Sequence, residues 1–129
     1  MSAVENKKII QAYFDELNSG RPKNKEMMDR YISDADMSLK EHIQVFEAAF
    51  PAYQLIPKEI IAEANKVSVS FNFIGTHKAT FNGIPATNKK VNIPGFISYH
   101  LDQGKIVAHD LVVDTMMLMQ QLGVLANAA

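Results

Sequence analysis

Residues 67–73 read Val67-Ser68-Val69-Ser70-Phe71-Asn72-Phe73, an unbroken alternation of apolar and polar side chains. Successive side chains of a strand point to opposite faces of a sheet, so this run predicts a strand with one buried and one wet face. The chain before residue 51 has a different period. Ile9, Ile10, Tyr13, Phe14 and Leu17 recur at helical spacing until Asn18-Ser19-Gly20 and Pro22 stop them. Met27, Met28 and Tyr31 predict a short second helix over 25–32. Leu39, Ile43, Phe46 and Phe50 form a third apolar stripe closed by Pro51, and Ser38 with Glu41 predicts a capping box at its start.

Beyond Pro51 the pattern alternates. Residues 53–64 read as a strand in which Pro57 marks an edge position or a bulge. The 67–73 strand extends towards Thr80, and Gly83-Ile84-Pro85 with Asn88 marks the next turn. Val91, Ile93, Ile97, Tyr99 and Leu101 predict another strand. Asp102-Gln103-Gly104 is a hairpin signal, and residues 105–113 are the partner strand. A short helix over 115–122 follows, with Asp114 as its N-cap or a turn residue, Gly123 as its stop and an unstructured tail behind. Helices followed by a four-strand meander predict an α+β domain, a curved antiparallel sheet closing over helices with a cavity at its open end.

At 129 residues the chain is read as one domain, 1–129, large enough to bury a core without covalent staples. It has no cysteine, which removes disulfides, thiolate nucleophiles and Cys-ligated zinc. Thirteen basic and fourteen acidic residues are scattered along it. The pairs Lys7-Lys8 and Lys89-Lys90 are too short to track a phosphate backbone, so no nucleic-acid partner is expected. With no apolar signal region at the start and no run of membrane-spanning length, a cytoplasmic location without membrane association is expected. His42, His77, His100 and His109 show no helical i,i+4 pair, and there is no phosphate-cradling glycine loop or Gly-x-Ser-x-Gly elbow; no metal or cofactor is expected.

From Phe46 to Gly123 the chain resembles the SnoaL-like polyketide cyclases of the nuclear transport factor two-like superfamily. The residues that carry this are Ala49-Phe50-Pro51, Gly75-Thr76-His77, Gly83-Ile84-Pro85 with Thr87, Gly104-Lys105-Ile106-Val107 with His109, then Asp114 and Gln120-Gln121-Leu122-Gly123. The resemblance implies a cone with its pocket between helices and sheet, and a homodimer formed through the outer sheet face. It also implies, for the best-known members, an aldol ring closure driven by an acid–base Asp in the last strand and a His in the strand before. Aligned on Gly104-Lys105-Ile106, those positions are Leu111 and Ile97, which cannot transfer a proton. Asp110, Ala108 and Ala64-Asn65 also depart from the family pattern. Whether the chain is an enzyme is left open by these changes.

Strand parity identifies the groups that remain. His77 shares a face with Val67, Val69, Phe71 and Phe73; His109 lies among Val107, Leu111 and Val113; Tyr99 shares a face with Val91, Ile93 and Ile97. Parity sends Phe96, Ser98, His100, Asp110 and Val112 to the outer face, unless a bulge near Asp110 turns that carboxylate inward. His42 and Glu41 are adjacent on a helix and point apart, and Met116, Met117 and Met119 read as packing or dimer contact. One reading is a cyclase- or isomerase-like enzyme moving a proton on a small apolar carbonyl compound, with His109 as base and His77 or Tyr99 as oxygen-side donor. A second is a non-catalytic binder in which Phe46, Phe71, Phe73, Ile97 and Leu111 supply apolar area and a His or Tyr fixes orientation. A third is a structural dimer whose interior is filled by its own side chains, with Tyr99 and the histidines as satisfied core residues.

Overall fold

The computed structural model describes residues 1–125; the tail expected behind the last helix lies largely outside the described residues. Three helices come first, α1 (Ala3–Leu17), α2 (Lys25–Tyr31) and α3 (Met37–Ala49), with one 3-10 turn (Asp34–Asp36) leading into α3. Four strands follow, β1 (Gln54–Glu63), β2 (Lys66–Thr76), β3 (Lys90–Asp102) and β4 (Lys105–Val113), and α4 (Thr115–Leu122) comes last. The strands pair antiparallel in the order β1-β2-β3-β4, so β1 and β4 are the edges.

The inner face carries the core. Val67, Val69, Phe71 and Phe73 of β2 are buried, as are Val91, Ile93, Ile97, Tyr99 and Leu101 of β3. From α1 the stripe Ile10, Tyr13, Phe14 and Leu17 covers them, each 1% exposed or less. A side chain buried this completely contributes about 1.5–3 kcal/mol relative to exposure, so this face outweighs any local helix preference. The outer face keeps Phe96 and Val112 exposed as direct cross-strand partners, with Ser68 and Ser98 hydrogen-bonded beside them.

Three details differ from the sequence expectation. The capping box at Ser38 does not form, because Met37 already has helical dihedrals and Ser38 sits inside the first turn. Asp36 is the cap instead, its Oδ1 accepting the Leu39 N–H at 3.1 Å. A capping box is found at the other end of the helical layer, where Ser2 and Glu5 close the start of α1. Second, β2 ends at Thr76: His77 N–H still donates to Lys89 O and its carbonyl accepts from Asn88 N–H beside β3, and the chain then turns away, with Lys78 N–H donating to Ala49 O. Third, the last hairpin carries a bulge at Val107, where the pairing steps from His100–Ala108 to Leu101–Ile106. Ile106 is therefore the fully buried residue and Val107 only half-buried. The bulge lies too early to move Asp110, whose side chain remains 85% exposed with its carboxylate 3.8 Å from His100 on the outer face.

Pro57 marks both an edge strand and an irregularity, since β1 is an edge and its register slips between Pro57 and Glu59. Asp102-Gln103-Gly104 turns through two consecutive positive-φ residues, Gln103 and Gly104, the geometry that matches strand twist in a tight hairpin. Asp114 caps α4 by accepting the Met117 N–H, and Gly123 ends that helix in the left-handed region.

Gly95 is the position where a missing side chain matters most. It pairs with Phe71, and a Cβ there would lie 2.7 Å from the Phe71 ring and 3.0 Å from Val113. The ring lies across the glycine. Gly95→Ala should therefore displace Phe71 and lower the unfolding free energy by about 1–3 kcal/mol in urea titration; an unchanged midpoint would show that the ring has room to move.

Candidate functional site

Between α3 and the inner sheet face runs a slot. Leu39, His42, Ile43 and Phe46 project from α3 on one side. Phe71, Phe73, Ile93, Ile97, Leu111 and Val113 face them from the sheet. Tyr13 from α1 and Tyr99 from β3 reach its lining with their rings edge to face, centroids 5.8 Å apart, and Tyr53 stacks on Phe73. The cavity is small, ≈ 40 Å³. The slot is narrow and almost wholly apolar.

Besides the Tyr53 phenol, three polar groups break its lining. Burial first, then the neighbouring Tyr99, raises the Tyr13 phenol well above the ordinary phenol range. Burial likewise raises Tyr99, with the charge of Tyr53 second. Both therefore stay protonated across physiological pH and can donate. The third group is His42, whose ring lies 4.5 Å from that of Phe46. Burial lowers its pKa below the usual imidazole value, and the neighbouring His109 lowers it further. Neutral His42 is thus the form expected near pH 7.

His109 sits on β4 directly across from Tyr99. Its Nδ1–H donates to Oδ2 of Asp36 at 2.7 Å, and Asp36 is only 6% exposed. This contact fixes the tautomer and leaves Nε2 as the nitrogen able to accept or release a proton. Asp36 uses its other oxygen to cap α3. One carboxylate therefore both starts the helix that carries His42 and orients His109.

The sequence-predicted residues fall in two groups. Tyr99, Phe46, Phe71, Phe73, Ile97 and Leu111 all line the slot. Leu111 and Ile97 are cross-strand partners, so the positions where the resemblance implies acid–base groups form an apolar part of the wall. The two histidines are not brought together. His77 lies ten residues along β2 from Val67, the partner of Tyr99, roughly 30 Å of extended strand away from the row of His109. It is fully buried, stacks on Phe50, and its Nδ1 accepts from the Thr87 N–H at 3.2 Å. Its Nε2 is buried with no hydrogen-bond partner, and the ring is not part of the slot lining.

The groups that sequence reasoning passed over are His42, Asp36 and Tyr13. His42 had a visible signal: positions 39, 42, 43 and 46 form one helical stripe, so the imidazole belongs to the apolar face whatever Glu41 does. Tyr13 had the same signal in α1. Asp36 had none, because its pairing with His109 spans 73 residues. Among the described residues no group of three or more His, Cys, Asp or Glu is arranged to hold a metal ion, and no helix is long and apolar enough to cross a membrane.

Two outcomes follow. Asp36→Ala should lower the unfolding free energy by about 1–3 kcal/mol, from the lost cap and the orphaned His109, whereas Asp36→Asn keeps an acceptor for the cap and loses less; equal melts for all three proteins would show that the carboxylate is idle. His42 has a depressed folded-state pKa, so below the unfolded imidazole value the unfolded chain binds its proton more readily. Stability from this group is present above that value and lost as pH falls through the folded pKa. Thermal melts at pH 7.5 and 5.0 should differ by more in the native protein than in His42→Asn, and an equal difference would place the imidazole in water.

The profile of the SnoaL-like polyketide cyclases matches residues 12–122. Among curated protein sequences none matches significantly. Solved structures share the fold at low identity. AclR, a candidate hydroxylase from Streptomyces galilaeus, superposes with a TM-score of 0.85 at 22% identity, over 99% of this chain and 87% of that one. TsrD from Streptomyces laurentii gives 0.82 at 16%, covering 97% and 99%. A SnoaL-like polyketide cyclase from Agrobacterium tumefaciens gives 0.76 at 20%, covering 92% and 98%. These likenesses establish the nuclear transport factor two-like α+β fold, and with the profile matched over most of its length the chain belongs to the SnoaL-like polyketide cyclase family.

Proposed function

We propose that the chain binds a small apolar carbonyl compound in the slot and moves a proton on the carbon beside the carbonyl, with His42 as the base. The observation that carries this reading is a neutral, half-buried imidazole standing in an apolar slot that also holds two protonated phenols. In the step, the C–H bond breaks, its proton passes to His42, and the electron pair moves to the carbonyl oxygen as an enolate. A Tyr13 or Tyr99 hydroxyl donates to that oxygen, in surroundings of low dielectric where the hydrogen bond is strong. His109, oriented by Asp36, lies close enough to act electrostatically on His42 and to keep it neutral as the base. Reprotonation at a second carbon gives isomerisation; attack of the enolate on another carbonyl of the same molecule gives ring closure.

This assignment shifts the base from β4 to α3 relative to the reading of His109 alone, and gives His77 no part. The homodimer implied by the resemblance is proposed to form over the outer face at Phe96 and Val112, away from the mouth of the slot.

One observation favours a second reading, a non-catalytic binder: Leu111 and Ile97 make apolar the wall where family catalysis is implied. Exchange of α-protons for deuterium, followed by NMR for a straight-chain ketone in D2O, separates the two. The enzyme reading expects accelerated exchange that falls by a factor of about 10²–10⁴ in His42→Ala while the ketone still binds. Binding without accelerated exchange in the native protein would leave the binder.

A further inference from the structure

Beside the slot lies a second, much roomier space. That groove is bounded by Ser38, Glu41 and Val45 of α3, by Phe81 and Asn82 of the loop after β2, and by Thr115, Leu118 and Met119 at α4. His42, Phe46 and Val113 line both spaces, so the two adjoin at the imidazole. Their sizes differ about tenfold, ≈ 40 Å³ for the slot and ≈ 430 Å³ for the groove. Their chemistry differs as well. Inside, the walls are hydrocarbon and aromatic ring; the groove has an apolar floor of Val45, Phe81, Leu118 and Met119, with Ser38, Glu41, Asn82 and Thr115 as exposed polar side chains on its rim.

We infer that slot and groove together select an elongated ligand, with a slender hydrocarbon end in the slot, the reacting carbonyl at His42, and an uncharged, hydroxyl-bearing head in the groove. This rests on the reading of His42 as the base and adds to it the shape and polarity of the substrate. The slender end follows from width: a fused polycycle needs a cavity several times broader than one whose centre line has room for little more than a chain of methylenes. The head follows from the rim. Its one charged side chain is Glu41, an acceptor, while Ser38, Asn82 and Thr115 can donate or accept. Hydroxyls satisfy all four, and a carboxylate would meet the like charge of Glu41. The carbonyl belongs at the junction because His42 is the titratable group common to both spaces and the phenols lie on the inner side of it.

The probes are 4-oxodecanoic acid, its methyl ester and its glycerol ester, with a tetracyclic anthraquinone ketone for width. Binding is followed by NMR titration, and α-proton exchange in D2O is measured on the same samples. The glycerol ester should bind several-fold more tightly than the methyl ester, the free acid should bind weakest, and the tetracycle should not compete. Glu41→Gln should remove most of the penalty on the acid and so narrow the gap between the acid and the methyl ester. Leu111→Phe should weaken all three linear ligands at least tenfold without a large change in melting temperature, because Leu111 is only partly buried. Competition by the tetracycle equal to that of the linear esters, or identical affinities for acid, methyl and glycerol forms, would overturn the inference, as would binding of none of them. If the ranking holds but exchange is the same in His42→Ala, the ligand shape stands and the assignment of the base falls.

Discussion

A single buried carboxylate ties the helical layer to the last strand, and the geometry of the slot depends on it. Asp36 is removed from water, so both of its oxygens must find partners or the charge would be costly to hold there. One oxygen accepts from the Leu39 backbone and fixes where α3 begins. The other accepts from His109 and fixes where β4 lies beneath it. Shifting α3 by one residue would break the first contact and rotate Leu39, His42, Ile43 and Phe46 off the slot together. Nearby, Lys40 spans from α3 to Asp29 of α2 and Asp34 of the 3-10 turn, which holds the approach to the cap.

The slot is also a consequence of what is missing. Gly95 leaves room for the Phe71 ring to lie across the sheet, and Leu111 and Ile97 present hydrocarbon where the family resemblance implies ionisable groups. An apolar wall raises the cost of charge inside and keeps both the imidazole and the phenols neutral. Neutral donors and a neutral base in one dry space form a consistent set: a charge developing on a bound carbonyl would be met by fixed hydrogen bonds and not by water. The polar work of the molecule is pushed to the rim, where Glu41 and Asn82 stay wet.

Much of this was legible in the residues. The alternation at 67–73 and 91–101 identified the buried faces of β2 and β3, and Tyr99, Phe71, Phe73, Ile97 and Leu111 followed from parity alone. Parity failed where a bulge intervened: at Val107 the count slips by one, and Ile106 takes the buried position. It also could not say how far along a strand two inward groups lie from a common site. His77 and His109 are both inward, yet one belongs to the Phe50 cluster and the other to the Asp36 cap. On α3 the helical stripe named Leu39, Ile43 and Phe46, and its omission of His42 came from judging the imidazole by its neighbour Glu41 and not by its period.

The sequence by itself determined the element types, the turns at Asp102-Gln103-Gly104 and Gly123, and which face of each strand is apolar, because periodicity and turn chemistry act over a few bonds. Tertiary structure decided which inward residues share a cavity, how wide that cavity is, and which side chain caps α3. Those depend on how α3 crosses the sheet, which is set by contacts such as Asp36 to His109 between residues far apart in the chain. No local pattern encodes such a contact, since the carboxylate has to choose between water, a helix end and an imidazole that only the folded chain brings within reach.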